Sequence, residues 1–165
     1  MNMPGGEWRG VVVAGKLREV RYPVESVLET LLSSAMQLTM ADRGVVLLMQ
    51  DDGGLRTVVS QGFDAPSLED RKAFFSRTVV QEVRATRSGR VVVDAADEGV
   101  SVSESVRGLG LRSVLAAPIR AEERILGVLC LDNRLKVGAF NYDDLDRITA
   151  LCRLAAMAME NAREG

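Results

Sequence analysis

Sulfur is the first place to look for chemistry in this sequence, and it is sparse. Cys130 and Cys152 are the two cysteines. Neither belongs to a Cys-x-x-Cys pair, and both sit among apolar neighbours. That is the setting of buried free thiols rather than of a redox couple or a thiolate metal site. The chain has no histidine. Its absence excludes histidine-ligated haem, the common zinc sites built with histidine, and every Ser-His or Cys-His catalytic arrangement. It also removes the usual general base near neutral pH.

The chain of 165 residues has the length of one domain, since domains commonly run to about 100–200 residues. Hydrophobic residues make up 47%, enough for a core, and the formal net charge is −2 with both signs interspersed. No basic stripe marks a nucleic-acid surface. No apolar run has the length of a membrane span and no signal-peptide pattern opens the chain, so the sequence reads as a soluble, cytoplasmic protein without a membrane partner.

Residues 1–22 read as a leader or linker, with Val11–Val13 as a short strand at most, and residues 23–163 as the folded domain. Pro23 suits the first turn of a helix, where its missing N–H costs nothing. Val24, Val27, Leu28, Leu31, Leu32, Ala35 and Met36 then recur at helical spacing, which predicts a helix over about 24–40. RGVVLLMQ (Arg43–Gln50) and LRTVVSQ (Leu55–Gln61) flank the turn cluster Asp51-Asp52-Gly53-Gly54 and predict a hairpin. A short helix is expected around 68–73. Ser76 reads as the N-cap of a helix over 78–87, with Gly89 in the place of its C-terminal cap. RVVVD (Arg90–Asp94) is a third strand. A small, polar segment from Ala95 to Gly110 follows, with one helical turn near 103–109, and has the look of a functional lid. Ser113–Ile119 and Arg124–Asp132 form a second hairpin, in which Pro118 points to an edge or a bulge. Asn141 caps a last helix over about 142–162, with Asp143 and Asp144 in its first turn. Tight hairpins require antiparallel pairing. The prediction is an α+β domain with a central antiparallel sheet of five to six strands and both terminal helices on one face.

In this order and spacing the chain resembles a GAF domain. The residues that carry the resemblance are ADRGVVLLMQDDGGL (Ala41–Leu55), FSRTVVQEVRATRSGRVVVDA (Phe75–Ala95), LRSVLAAPI (Leu111–Ile119), ILGVLCLDN (Ile125–Asn133), AFNYDDLDRITAL (Ala139–Leu151) and MENA (Met159–Ala162). They cover roughly 24–163. The resemblance implies a ligand pocket on the sheet face opposite the terminal helices, roofed by the 78–87 helix and the 95–110 loop. It implies a non-catalytic sensory module that binds a small molecule and regulates an output domain, of transcription-activator, nucleotide-cyclase or kinase type, in the same or a partner chain. A ligand-free dimerisation scaffold is the alternative within the family.

The ligand classes known for the family sort as follows. The resemblance implies neither haem nor bilin, because both need a histidine. A cyclic nucleotide stays open: of the NKFDE signature, Asn133, Phe140 and Asp144 are present, but Arg134 follows the Asn and Leu145 replaces the Glu. A non-haem iron held by Asp94, Asp97 and Cys130 is disfavoured by the apolar strand around Cys130. A methionine sulfoxide reductase needs resolving thiols that the 95–112 segment lacks. For a generic ligand, Arg77 and Thr78 open the roof helix, whose N-terminus favours an anion. Asp94 and Asp97 stand at the loop entrance, Ser101, Ser103 and Ser105 supply hydroxyls, and Arg112 and Ser113 mark the return to the sheet.

The last helix carries more apolar surface than one face needs. Leu145, Ile148, Cys152, Ala155, Met159 and Ala162 form a 3-4-3-4-3 seam, and Leu151, Leu154 and Ala158 a second stripe. Val24, Leu28, Leu31, Ala35 and Leu38 repeat the pattern on the first helix. The expectation is a homodimer through the terminal helices, and a chain that is a fragment of a larger protein.

Overall fold

The computed structural model describes residues 16–62, 77–93 and 113–164. Three helices and five strands follow in the order α1 (Lys16–Thr39), β1 (Arg43–Met49), β2 (Leu55–Gln61), α2 (Arg77–Thr86), β3 (Arg90–Val92), β4 (Ser113–Ala121), β5 (Arg124–Asn133) and α3 (Tyr142–Glu164). The expected elements at Val11–Val13, 68–73 and 103–109, and the Ser76 cap, lie outside the described residues.

All strand pairs are antiparallel, in the order β2-β1-β5-β4-β3. The two hairpins are therefore joined at the centre through β1 and β5, with Val45 opposite Cys130 and Leu47 opposite Val128. Period-two alternation then divides the side chains between two cores. Val46, Leu115, Ala117, Ile119, Leu129 and Leu131 face the layer of α1 and α3. Val45, Leu47, Val92, Val114, Ala116, Val128 and Cys130 face α2.

The helix layer forms because both long helices carry apolar stripes that only this face can bury. On α1, Leu28, Leu31, Leu32 and Ala35 are buried, and on α3 so are Ile148, Cys152, Ala155 and Met159. Gly44 lets α1 come close to β1: a Cβ there would lie 2.7 Å from Leu32 Cδ1. The expected cap of α3 is present. Asp144 N–H donates to Asn141 Oδ1 at 2.8 Å and Asn141 N–H to Asp144 Oδ2 at 3.1 Å, a reciprocal cap that satisfies two otherwise orphaned donors.

Two helix boundaries differ from the sequence reading. α1 begins at Lys16, so Pro23 lies inside the helix rather than in its first turn. Proline has no N–H to donate in a helix interior, and the apolar face that packs on the core begins at Val24 and Val27. At the end of α2 the left-handed residue is Arg87 (φ 57°), not Gly89. Arg87 N–H donates to Val83 O at 2.8 Å and so closes the helix. Gly89 is needed for close approach instead, because a Cβ there would sit 2.5 Å from Leu145 Cδ1 and 3.0 Å from Ala116 O. Pro118 meets the expectation in both senses. Among the described residues, pairing of β3 with β4 stops at Ala116 and leaves β4 an edge beyond it, and the β4–β5 register shifts between Ile119 and Arg120.

Candidate functional site

The sheet face under α2 is built as cross-strand rows. Leu47 and Val128 face each other at one end. Val45, Cys130 and Ala116 form the middle row. Arg43, Asp132, Val114 and Val92 form the last. α2 closes over the apolar rows with Val79, Val80 and Val83, all but inaccessible to solvent. Arg90 on β3 reaches up to Glu82 of α2 and forms an ion pair with it.

The last row breaks the apolar pattern with a charge pair. Arg43 grips Asp132 with both arms of its fork, Nε to Oδ1 at 3.1 Å and Nη2 to Oδ2 at 2.6 Å. Asp132 is 1% exposed and the Arg43 side chain 11%. Beside them, Arg134 binds Asp42 in the same two-armed way, at 2.6 and 3.3 Å, on the exposed margin. Burial pushes the Asp132 carboxyl above the ordinary range, against the pull of Arg43. The Arg134 hydrogen bond holds Asp42 below that range.

Titration should therefore separate the two carboxylates. A raised native pKa means that the folded state binds the proton more tightly, so stability shifts in favour of the native protein as pH falls. Against Asp132→Asn, the wild type should gain relative stability between pH 7 and about 4, the unfolded carboxylate value. Against Asp42→Asn it should lose relative stability as pH falls below about 4. Urea midpoints across this range, read for both pairs of proteins, check the signs.

α2 is oriented with respect to this row by its contacts at the opposite end. Arg84 Nη2 donates to Gly53 O in the β1–β2 turn at 2.8 Å, and Arg87 O accepts from Arg120 Nη1 at 2.7 Å. The helix C-terminus is thus held at the turn end of the sheet, and the helix starts at Arg77, followed by half-buried Thr78. Strands β2 and β3 end at the Arg43–Asp132 end of the sheet, and β4 begins there.

Of the residues read from the sequence as ligand contacts, Asp94, Asp97, Ser101, Ser103, Ser105 and Arg112 lie outside the described residues. Ser113 is fully buried and shares the parity of Leu115 and Ala117, on the helix-layer face. Its hydroxyl lies 2.6 Å from Lys136 O and 3.1 Å from Val93 O, and accepts from Ala139 N–H at 3.1 Å. It ties the loop before α3 to the start of β4. Thr78 and Ser113 are therefore not brought together. Arg43 and Asp132 were missed by sequence reasoning. The available signal was a charge at the margin of each of two apolar strand runs, in ADRGVV and LCLDN.

The residues of the partial NKFDE match have local tasks. Asn133 Oδ1 accepts from the N–H groups of Leu135 and Lys136 at 2.9 and 2.8 Å. Phe140 is buried in the helix-layer core, and Asp144 caps α3. The thiols lie in different cores. Cys130 faces α2, whereas Cys152 is in the helix layer, and burial pushes each up to about 12. A fully protonated thiol is a poor nucleophile and a poor metal ligand.

The family model of the GAF domain matches residues 23–159. Solved structures agree in fold. The GAF region of a putative membrane protein from Geobacter sulfurreducens PCA superposes with a TM-score of 0.72 at 20% identity, over 88% of this chain and 99% of that one. A domain of a putative two-component sensor histidine kinase from Sinorhizobium meliloti 1021 gives 0.64 at 20%, over 84% and 92%. The blue-light-absorbing form of the Thermosynechococcus elongatus PixJ GAF domain gives 0.64 at 19%, over 92% and 90%. A comparison with curated protein sequences gives no match. With the matched model spanning most of the sequence and both cores of the sheet in place, the chain belongs to the GAF domain family.

Proposed function

We propose that this GAF domain is a non-catalytic sensory module. It takes a small molecule at the α2-covered face of the sheet and passes the signal through α1 and α3 to an output domain in the same or a partner chain. The observation that carries this reading is the division of labour between the two faces. One is sealed by the long helices that lead to and from the domain. The other is closed over its apolar rows by α2 and ends in a buried charge pair at the margin of that core. A few fixed polar groups at the edge of an apolar core suit recognition of a small molecule at that margin. The helix N-terminus favours an anionic group on the ligand.

The position of the thiols supports regulation over redox catalysis. A reductase needs an attacking thiolate and a second thiol to resolve the intermediate, and here the sheet stands between Cys130 and Cys152. Of the described residues, no helix is long and apolar enough to cross a membrane, in keeping with the cytoplasmic location we propose.

Homodimerisation through the terminal helices is part of the proposal, and α3 supplies the surface for it. The seam Leu145–Met159 is spent on the domain's own core, but Leu154 of the second stripe is 62% exposed and Met157 beside it 58%. On α1 Leu28, Leu31 and Ala35 of the stripe are buried as well, Val24 is half-buried, and Leu38 is 51% exposed. Native mass spectrometry of the purified protein, gentle and then denaturing, tests both parts. A dimer mass that releases a small molecule is the expected result. A bare dimer would replace the sensor with a ligand-free scaffold, and a bare monomer would reject both parts.

A further inference from the structure

At the tip of the β4–β5 hairpin, one arginine joins two strained main-chain positions from different layers. Arg120 Nε donates to Glu122 O at 2.8 Å, and Nη1 donates to Arg87 O at 2.7 Å. Both acceptors belong to non-glycine residues in the left-handed region, Arg87 and Glu122, each at φ 57°. Residues other than glycine hold that conformation only where their surroundings fix it. Arg87 closes α2, on the ligand-side face. Glu122 starts the two-residue turn between Ala121 and its partner Arg124. Across that turn, Arg124 forms an ion pair with Glu160 in the last turns of α3, on the other face. A chain of contacts thus runs around the end of the sheet: the α2 terminus, Arg120, the turn, Arg124 and α3. The sheet itself keeps the two side-chain cores apart.

We propose that this hairpin tip is the link by which a displacement of α2 reaches the last turns of α3. A guanidinium fork suits the task because its donors are fixed in one plane, so the two carbonyls cannot move independently without breaking a bond. The β4–β5 register shifts between Ile119 and Arg120, an irregularity of the kind that increases local twist next to the tip. The idea rests on the sensory reading for its purpose, since there α2 borders the ligand and α3 leads to the output.

Amide hydrogen exchange on the intact chain tests it without any ligand. Arg120→Ala should speed exchange at Met159–Arg163 by about threefold or more, as well as at the end of α2. Arg124→Ala should speed the same α3 amides, and adding Arg120→Ala to it should change them no further. Exchange in α3 at the wild-type rate in Arg120→Ala would overturn the link, and so would additive effects in the double variant. Should Arg120→Ala lose its far-ultraviolet helix signal, Arg120→Lys takes its place, because one ammonium cannot span both carbonyls; an unchanged α3 in that variant would reject the proposal equally. A bare native mass spectrum together with coupled exchange would remove the sensor and keep the link. A bound ligand with uncoupled exchange would do the reverse.

Discussion

Replacing Asp132 by alanine should cost about 3–5 kcal/mol of folding free energy, the largest loss expected from any single polar substitution in this domain. The carboxylate is 1% exposed, and it is the two-armed partner of an arginine that is itself mostly enclosed. Removing one member of a buried pair leaves the other charge in a medium that solvates it poorly. Replacing both at once, Arg43→Met with Asp132→Leu, should restore most of the loss, because an apolar pair of similar volume leaves no charge stranded. Urea denaturation of the two single variants and the double gives the coupling directly. A cost below about 1 kcal/mol for Asp132→Ala would show that water reaches the pair and that the floor is open at this end. The same three proteins bear on function. If the pair fixes the ligand end of the site, the double variant should regain stability without regaining whatever small molecule the wild type carries.

The second large effect is expected in the helix layer. Ile148 is completely buried between α3 and the sheet. Truncation to alanine there removes apolar contacts and leaves a cavity, at a cost of about 2–5 kcal/mol. Leu154, on the same helix, is 62% exposed. Leu154→Ala should leave the stability of the isolated domain within about 0.5 kcal/mol of wild type. Its effect should appear in the self-association constant, measured by sedimentation. An equal loss of folding stability in the two variants would contradict the division of α3 into an inward seam and an outward stripe. Unchanged association in Leu154→Ala would leave the dimer without its proposed contact.

Much of this architecture was legible because its signals are local. The turn residues Asp51–Gly54 announce the first hairpin, and the observed strands are Arg43–Met49 and Leu55–Gln61. Asn141 and Asp144 announce the start of α3 and make the reciprocal cap. The errors arose where a local signal served another end. Gly89 resembles a helix cap, but its missing side chain makes room for Leu145, a contact between residues far apart in the sequence. Pro23 resembles a helix start, yet α1 begins at Lys16. The candidate site was the least legible part. Arg43 and Asp132 meet only because β1 and β5 pair in one particular register, and nothing in either segment announces its partner. Ser113 shows the same limit from the other side. Its position at the loop's return is visible in the sequence, but its face depends on strand parity, and its hydroxyl is engaged by the main chain of the 136–139 loop and Val93.

The central pairing of β1 with β5 also bears on how the chain reaches its fold. Each hairpin can close early, since its partners are near in sequence. Joining Val45 to Cys130 must instead bring together two halves of the molecule, and contacts of such long range slow folding. The entropic cost of closing the intervening chain grows only logarithmically, about 0.6 kcal/mol for each doubling of length. Insertions into segments 63–76 and 94–112 should therefore be inexpensive for this scaffold. The length of chain between the two hairpins can thus vary at little cost, while the β1–β5 pairing that joins them stays as it is.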